Sequence, residues 1–161
     1  MKPNLEAQEK WMKQAIALAV ENVRAGRGGP FGALIVRDEQ VIAMGVNSVT
    51  AANDPTAHAE VNAIRAACRS LGSFQLADCE LYASCEPCPM CLGAIYWARL
   101  AIYYYSGTRQ DAARAGFDDA FLHDQLALPR EQRSIRGYCI LPEHASEPFT
   151  EWASAVDKTA Y

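Results

Sequence analysis

Together His58, Glu60, Cys88 and Cys91 make a set of side chains able to bind a metal and move a proton. One imidazole and two thiolates make a donor set that suits zinc, and three protein ligands around a tetrahedral ion leave the fourth position open to water. Glu60 follows His58 by two residues in His58-Ala59-Glu60. A carboxylate so placed can take a proton from water and hand it to a leaving group, acting first as base and then as acid. Each half of the pattern is weak alone, because C-x-x-C also serves redox dithiols and structural zinc, and H-x-E recurs by chance. Together, with Pro87 ahead of Cys88, they point to metal-assisted hydrolysis.

One rival stays open. Cys85 extends the run to C-x-x-C-x-x-C, which with His58 could close a structural zinc site without catalysis. An iron–sulfur run would need a fourth cysteine soon after, and none follows. Gly28-Gly29 reads as a plain loop, since no lysine or further glycine pattern supports a phosphate cradle.

The elements that must position these residues follow from periodicity. Residues 6–24 carry Trp11, Ala15, Leu18 and Ala19 at helical spacing. The apolar runs 31–37 and 41–46 flank Asp38-Glu39 as a hairpin, with Asn47 at its end and Phe31 as either core or pocket wall. Asn53-Asp54-Pro55-Thr56 predicts a turn, with Thr56 as N-cap of a helix whose positive end carries His58 and Glu60. A third strand is expected over 79–83. Pro87 is expected at the first position of a helix that shows Cys88 and Cys91 on one face. A fourth strand over 100–105, parallel to the third across a β-α-β crossover, a fifth over 137–141 and a terminal helix over 149–156 complete the expectation. Asp118 and Asp119, between Phe117 and Phe121, read from spacing alone as a helix cap or solvated turn.

At 161 residues, with half of them hydrophobic and 21% charged, the chain fits a single globular domain, 1–161. A net charge of −4 disfavours nucleic acid as the main partner and fits a small neutral substrate. No apolar stretch is long enough to cross a bilayer and no signal-peptide plan opens the chain, so a cytoplasmic protein without a membrane partner is expected. Clustered cysteines argue for metal in a reducing compartment, with Cys68, Cys79 and Cys139 buried and inert.

The H-x-E and P-C-x-x-C residues resemble the zinc-dependent nucleobase deaminases. Gly29-Pro30-Phe31-Gly32-Ala33, Asn47 and Ser84-Cys85-Glu86-Pro87-Cys88-Pro89-Met90-Cys91 are similar to their purine and tRNA branch. Gly116-Phe117-Asp118-Asp119 and the end Lys158-Thr159-Ala160-Tyr161 resemble bacterial guanine deaminases. That resemblance implies a cytidine deaminase-like α/β fold of three α/β/α layers around a mixed five-stranded sheet. It implies one zinc per chain on His58, Cys88 and Cys91, with Glu60 and Asp119 catalytic. Phe31, Asn47, Ala59, Trp97 and Tyr161 are the implied substrate contacts. The implied reaction is hydrolytic deamination of guanine to xanthine and ammonia, in a homodimer whose tails, about 142–161, are exchanged. The alternatives are tRNA adenosine deamination, then cytosine or cytidine deamination, and, in a different class, a zinc-stabilised binding module without catalysis.

Overall fold

The computed structural model describes residues 5–160. They form two compact units, one up to Asp119 and one from Ala120 onward. The first unit runs α1 (Leu5–Arg24), β1 (Gly32–Arg37), β2 (Gln40–Val46), α2 (Val49–Ala52), α3 (Ala59–Leu71), β3 (Glu80–Cys85), α4 (Pro89–Trp97), β4 (Ile102–Gly107) and α5 (Arg109–Arg114). The second holds α6 (Ala120–Ala127), two 3-10 turns and α7 (Glu147–Ser154).

Asp38 and Glu39 both take positive φ, 50° and 58°. That is the two-residue hairpin geometry whose twist matches the flanking strands, and it sets β1 and β2 antiparallel. The sheet order is β2-β1-β3-β4, with β1 antiparallel to β3 and β3 parallel to β4. As an inner strand with helices on both faces, β1 is apolar and buried at successive positions. Ala33 and Ile35 pack with Ala59, Ala63, Ala67, Leu81 and Ile95 on the α3 and α4 side. Leu34 and Val36 pack with Trp11, Ala15 and Tyr82 on the α1 side. The result is the expected three α/β/α layers.

The sheet of the first unit has four strands, not five. The expected strand at 137–141 pairs with nothing, and Tyr138 and Ile140 are each 81% exposed. Alternating apolar residues make a strand only where a neighbour takes their N–H and C=O groups, and the described residues of the second unit include no other strand. Cys139, expected to be buried through that strand, is therefore exposed, while Cys79 is buried and Cys68 half-buried. No residue of 120–160 is buried. No helix among the described residues is long and apolar enough to cross a membrane.

Candidate metal centre

Both metal-binding sequences lie where a helix begins. His58 is the N-cap of α3 and Cys88 the N-cap of α4, each with extended backbone. Neither supplies the oxygen cap that usually accepts the first free N–H groups; the His58 imidazole and the Cys88 sulfur, itself hydrogen-bonded to Cys91 in the first turn of α4, turn to a common point. Two helix N-termini, each carrying partial positive charge, thus converge on one place.

This shifts two expectations. Thr56 does not cap α3; its N–H and hydroxyl donate to Asp54 Oδ1 at 2.8 and 2.7 Å, an Asx turn that closes the loop before His58. Pro87 does not start α4. Pro89 does, so the preference for proline at the first helical position is met one turn-residue pair later, and Cys91 falls at the third position of the helix.

His58 Nδ1 lies 3.6 Å from Cys88 Sγ and 3.5 Å from Cys91 Sγ, and the three ligand atoms all lie within 4.8 Å of one another. Zinc–nitrogen and zinc–sulfur bonds of ordinary length at a tetrahedral angle set a nitrogen–sulfur separation of about 3.5 Å. Both nitrogen–sulfur separations are thus those that zinc would set, and the three residues fit the ion. The Cys88 thiol is pulled down to about 4, first by a hydrogen bond with Cys91 and then by His58, while Cys91, sharing that bond, is pushed up. A divalent cation held here would take both sulfurs as thiolates.

Cys85 stays out of this set. Its Sγ meets the carbonyl oxygen of Thr108 at 3.5 Å, and burial pushes its thiol up to about 11. Its sulfur is not among the ligand atoms that lie within 4.8 Å of one another, which are those of His58, Cys88 and Cys91. Three such ligands leave a tetrahedral ion one open position.

Glu60, at the second position of α3, is only 7% exposed. Burial pushes its carboxyl above the usual carboxylate range, the condition of a group that can hold a proton and give it back. Ala59, at the first position of α3, is buried, and a backbone N–H there has no partner within the helix.

Two of the base contacts that the resemblance implies, Phe31 and Asn47, are tied together at the open end of the hairpin. The Asn47 N–H donates to Phe31 O at 3.1 Å. Asn47 Oδ1 accepts the N–H of Gly29 at 3.2 Å and of Val49 at 3.4 Å. With its oxygen so engaged, the Asn47 amide offers a ligand its Nδ2, a donor. Asn22, which sequence reasoning missed, holds this arrangement from below. Fully buried, it donates from Nδ2 to Gly29 O at 2.9 Å and Asn47 O at 2.8 Å. Its signal was available, because it continues the buried stripe Trp11, Ala15, Ala19, and a polar residue on such a stripe has a partner to satisfy. Asp119 is half-buried at the last position of the first unit, Asp118 is exposed, and Trp97 ends α4 with 67% exposure. Tyr161 lies outside the described residues.

The model of the cytidine and deoxycytidylate deaminase zinc-binding region matches residues 5–106. Guanine deaminase of Bacillus subtilis is 56% identical over 154 residues, covering 95% of this chain and 98% of that protein. The tRNA-specific adenosine deaminase of Aquifex aeolicus is 40% identical over 90% of this chain and 93% of its own length. The solved structure of the Bacillus subtilis guanine deaminase superposes with a TM-score of 0.93 at 54% identity, over 95% of this chain and 98% of that one.

Proposed function

Because the chain belongs to the cytidine and deoxycytidylate deaminase family, whose shared region binds zinc, we propose that it deaminates guanine hydrolytically to xanthine and ammonia. The reaction class rests on one observation above the others: three ligands fit zinc while a buried carboxylate, Glu60, stands in the first turn of the same helix start. The choice of base rests on likeness to a guanine deaminase along nearly the whole chain.

His58, Cys88 and Cys91 would hold the ion, whose Lewis acidity lets water act as a nucleophile near neutral pH. Glu60 takes the proton of that water and delivers it to a ring nitrogen of the base. Once the carbon–oxygen bond has formed, the remaining proton of the added hydroxyl must reach the amino group, so that the carbon–nitrogen bond breaks, ammonia leaves and the oxygen becomes the new carbonyl; Asp119 is the residue we assign to carrying that proton. Asn47 donates from Nδ2 to an acceptor on the base edge, and the Ala59 N–H is placed to do the same. Phe31 and Trp97 cover the ring.

Ammonia release from guanine, adenine, adenosine, cytosine, cytidine and adenosine-containing tRNA tests the assignment. Guanine is expected to exceed every other substrate by about a hundredfold or more in kcat/KM, since a site built to hydrogen-bond its substrate can discriminate by about 10⁴–10⁵. Salt-sensitive deamination of tRNA in preference to guanine would transfer the protein to the adenosine-editing branch, and a zinc protein inert towards all six would be a binding module.

We also read the stretch of about 142–161 as the tail of this one domain, exchanged between two subunits. Its support is exposure: Phe149 and Val156 are 74 and 94% exposed within the chain, more apolar surface than a short segment leaves to water. In such a homodimer the final residues, with Tyr161, would exclude water from the partner's site. Chains lacking 158–161 are expected to keep zinc and to regain activity when mixed with Glu60→Gln chains, because one hybrid site then combines an intact centre with a donated tail. Mixed dimers without recovered activity would refute the exchange. The reducing cytoplasm is the compartment that suits a centre built on free thiols.

A further inference from the structure

Helix α5 has only six residues, too few to be stable by themselves, yet both of its ends are closed. At the start, Thr108 and Asp111 form a capping box, with Thr108 N–H donating to Asp111 Oδ2 at 2.7 Å and Asp111 N–H to Thr108 Oγ1 at 3.3 Å. At the finish, Gly116 N–H donates to Ala113 O and Phe117 N–H to Ala112 O, both at 3.0 Å. These two bonds, with Gly116 at φ +90°, are a Schellman closure that leaves Phe117 as the residue emerging from it.

The two ends are fastened to different parts of the site. At the start, Arg109 N–H donates to Glu86 Oε2 at 3.2 Å, Glu86 N–H to Gly107 O at 2.8 Å, and the Cys85 thiol meets Thr108 O. Cys85 and Glu86 lead directly into Pro87 and Cys88. At the finish, the Phe117 ring stands edge-on to Phe31, centroids 5.0 Å apart at 87°, an arrangement that rings favour electrostatically. A Cβ on Gly29 would lie 3.3 Å from both Phe117 Cε1 and the Phe31 ring, so the contact is closed on that side by the same loop that Asn22 and Asn47 hold.

We propose that Phe117 is a positioning residue, the anchor by which α5, a capped strut between the zinc-ligand loop and the Phe31 wall, sets the place of Asp119 two residues on. The proposal rests on the reading of Asp119 given above. Phe117 is 44% exposed, and its removal therefore leaves no large internal cavity.

A double-mutant cycle on the zinc-loaded enzyme tests this. Phe117→Ala is expected to lower kcat/KM for guanine about tenfold, the effect of a slightly misplaced catalytic group, while zinc content stays at the parent value and Tm falls by only about 2–4 °C, the scale of one lost aromatic pair in a chain of this size. Phe117→Leu, which keeps apolar contact with Phe31, is expected to recover most of that loss. In an Asp119→Asn background, Phe117→Ala should change residual kcat/KM, and affinity for the product xanthine, by less than about twofold, since a residue acting through another has nothing left to act on. Additive losses would overturn the proposal, because they would mean that Phe117 works only through Phe31. An unchanged Phe117→Ala enzyme beside a crippled Asp119→Asn one would overturn it alone. A fully active Asp119→Asn enzyme would first remove the reading of Asp119, and the anchor with it.

Discussion

Glu60→Gln is expected to retain one zinc per chain, an unchanged Tm and its affinity for xanthine, and to lose about three orders of magnitude in kcat, the scale of general acid–base catalysis. The amide is isosteric with the carboxylate, so α3 keeps its first turn and His58 its place at the N-cap. What disappears is the capacity to accept a proton. A glutamine buried where Glu60 is 7% exposed carries no desolvation cost of a charge, which removes any reason for the fold to weaken. Zinc analysis, calorimetric unfolding and steady-state kinetics on one preparation separate the cases. Loss of metal together with activity would make Glu60 a supporter of the centre, and near-parental kcat would end its role as proton carrier. Cys88→Ala supplies the contrast, because it removes one of the two sulfurs that lie 3.5–3.6 Å from His58 Nδ1 and should lose zinc and activity together.

The metal centre was legible because ligand chemistry depends on residue type and short spacing. His58, Cys88 and Cys91 need nothing from the distant chain to declare themselves a donor set, and the structure brings their ligand atoms together. The helix starts were read one step early for a physical reason. Thr56 and Pro87 have good capping and first-turn chemistry, but Asp54 claims Thr56, and a second proline, Pro89, follows within the same turn. The hairpin, the parallel β3–β4 pair and the two-sided core around β1 followed from short apolar runs and a two-residue turn, which are local signals. The absent fifth strand was not local. Residues 137–141 have strand composition, yet pairing is a property of the neighbour. Asn22 was half-legible: a polar residue continuing the buried stripe of α1 announces that it needs partners, but which ones shows only when Gly29 and Asn47, seven and 25 residues on, bring their carbonyls to it.

Gly45 shows the same limit at its most costly. It lies in β2 opposite Ala33, and nothing in its surroundings in sequence marks it as more than a strand glycine. In space, a Cβ built on it would overlap the carbonyl oxygen of Ala59 and the backbone nitrogen of Ala63, and would stand 3.0 Å from Ala63 Cα. These are backbone atoms of α3, which cannot swing aside as a flexible side chain does. Gly45→Val therefore forces the helix away from the sheet by about 1 Å to reach ordinary contact, at a cost of about 3 kcal/mol, the upper end of overpacking. Ala59 follows His58 and precedes Glu60, so the part of α3 displaced is the part that serves the zinc. Expected are a Tm lower by about 6–10 °C, from the size scaling of unfolding entropy, and zinc content well below one per chain after dialysis, although no ligand has been changed. Added zinc should restore part of both, since metal bound only by the folded form stabilises it in proportion to its excess over Kd. A Gly45→Val protein with parental Tm and full zinc would mean that α3 does not rest on β2 through this glycine, and that some other contact holds His58 opposite Cys88 and Cys91.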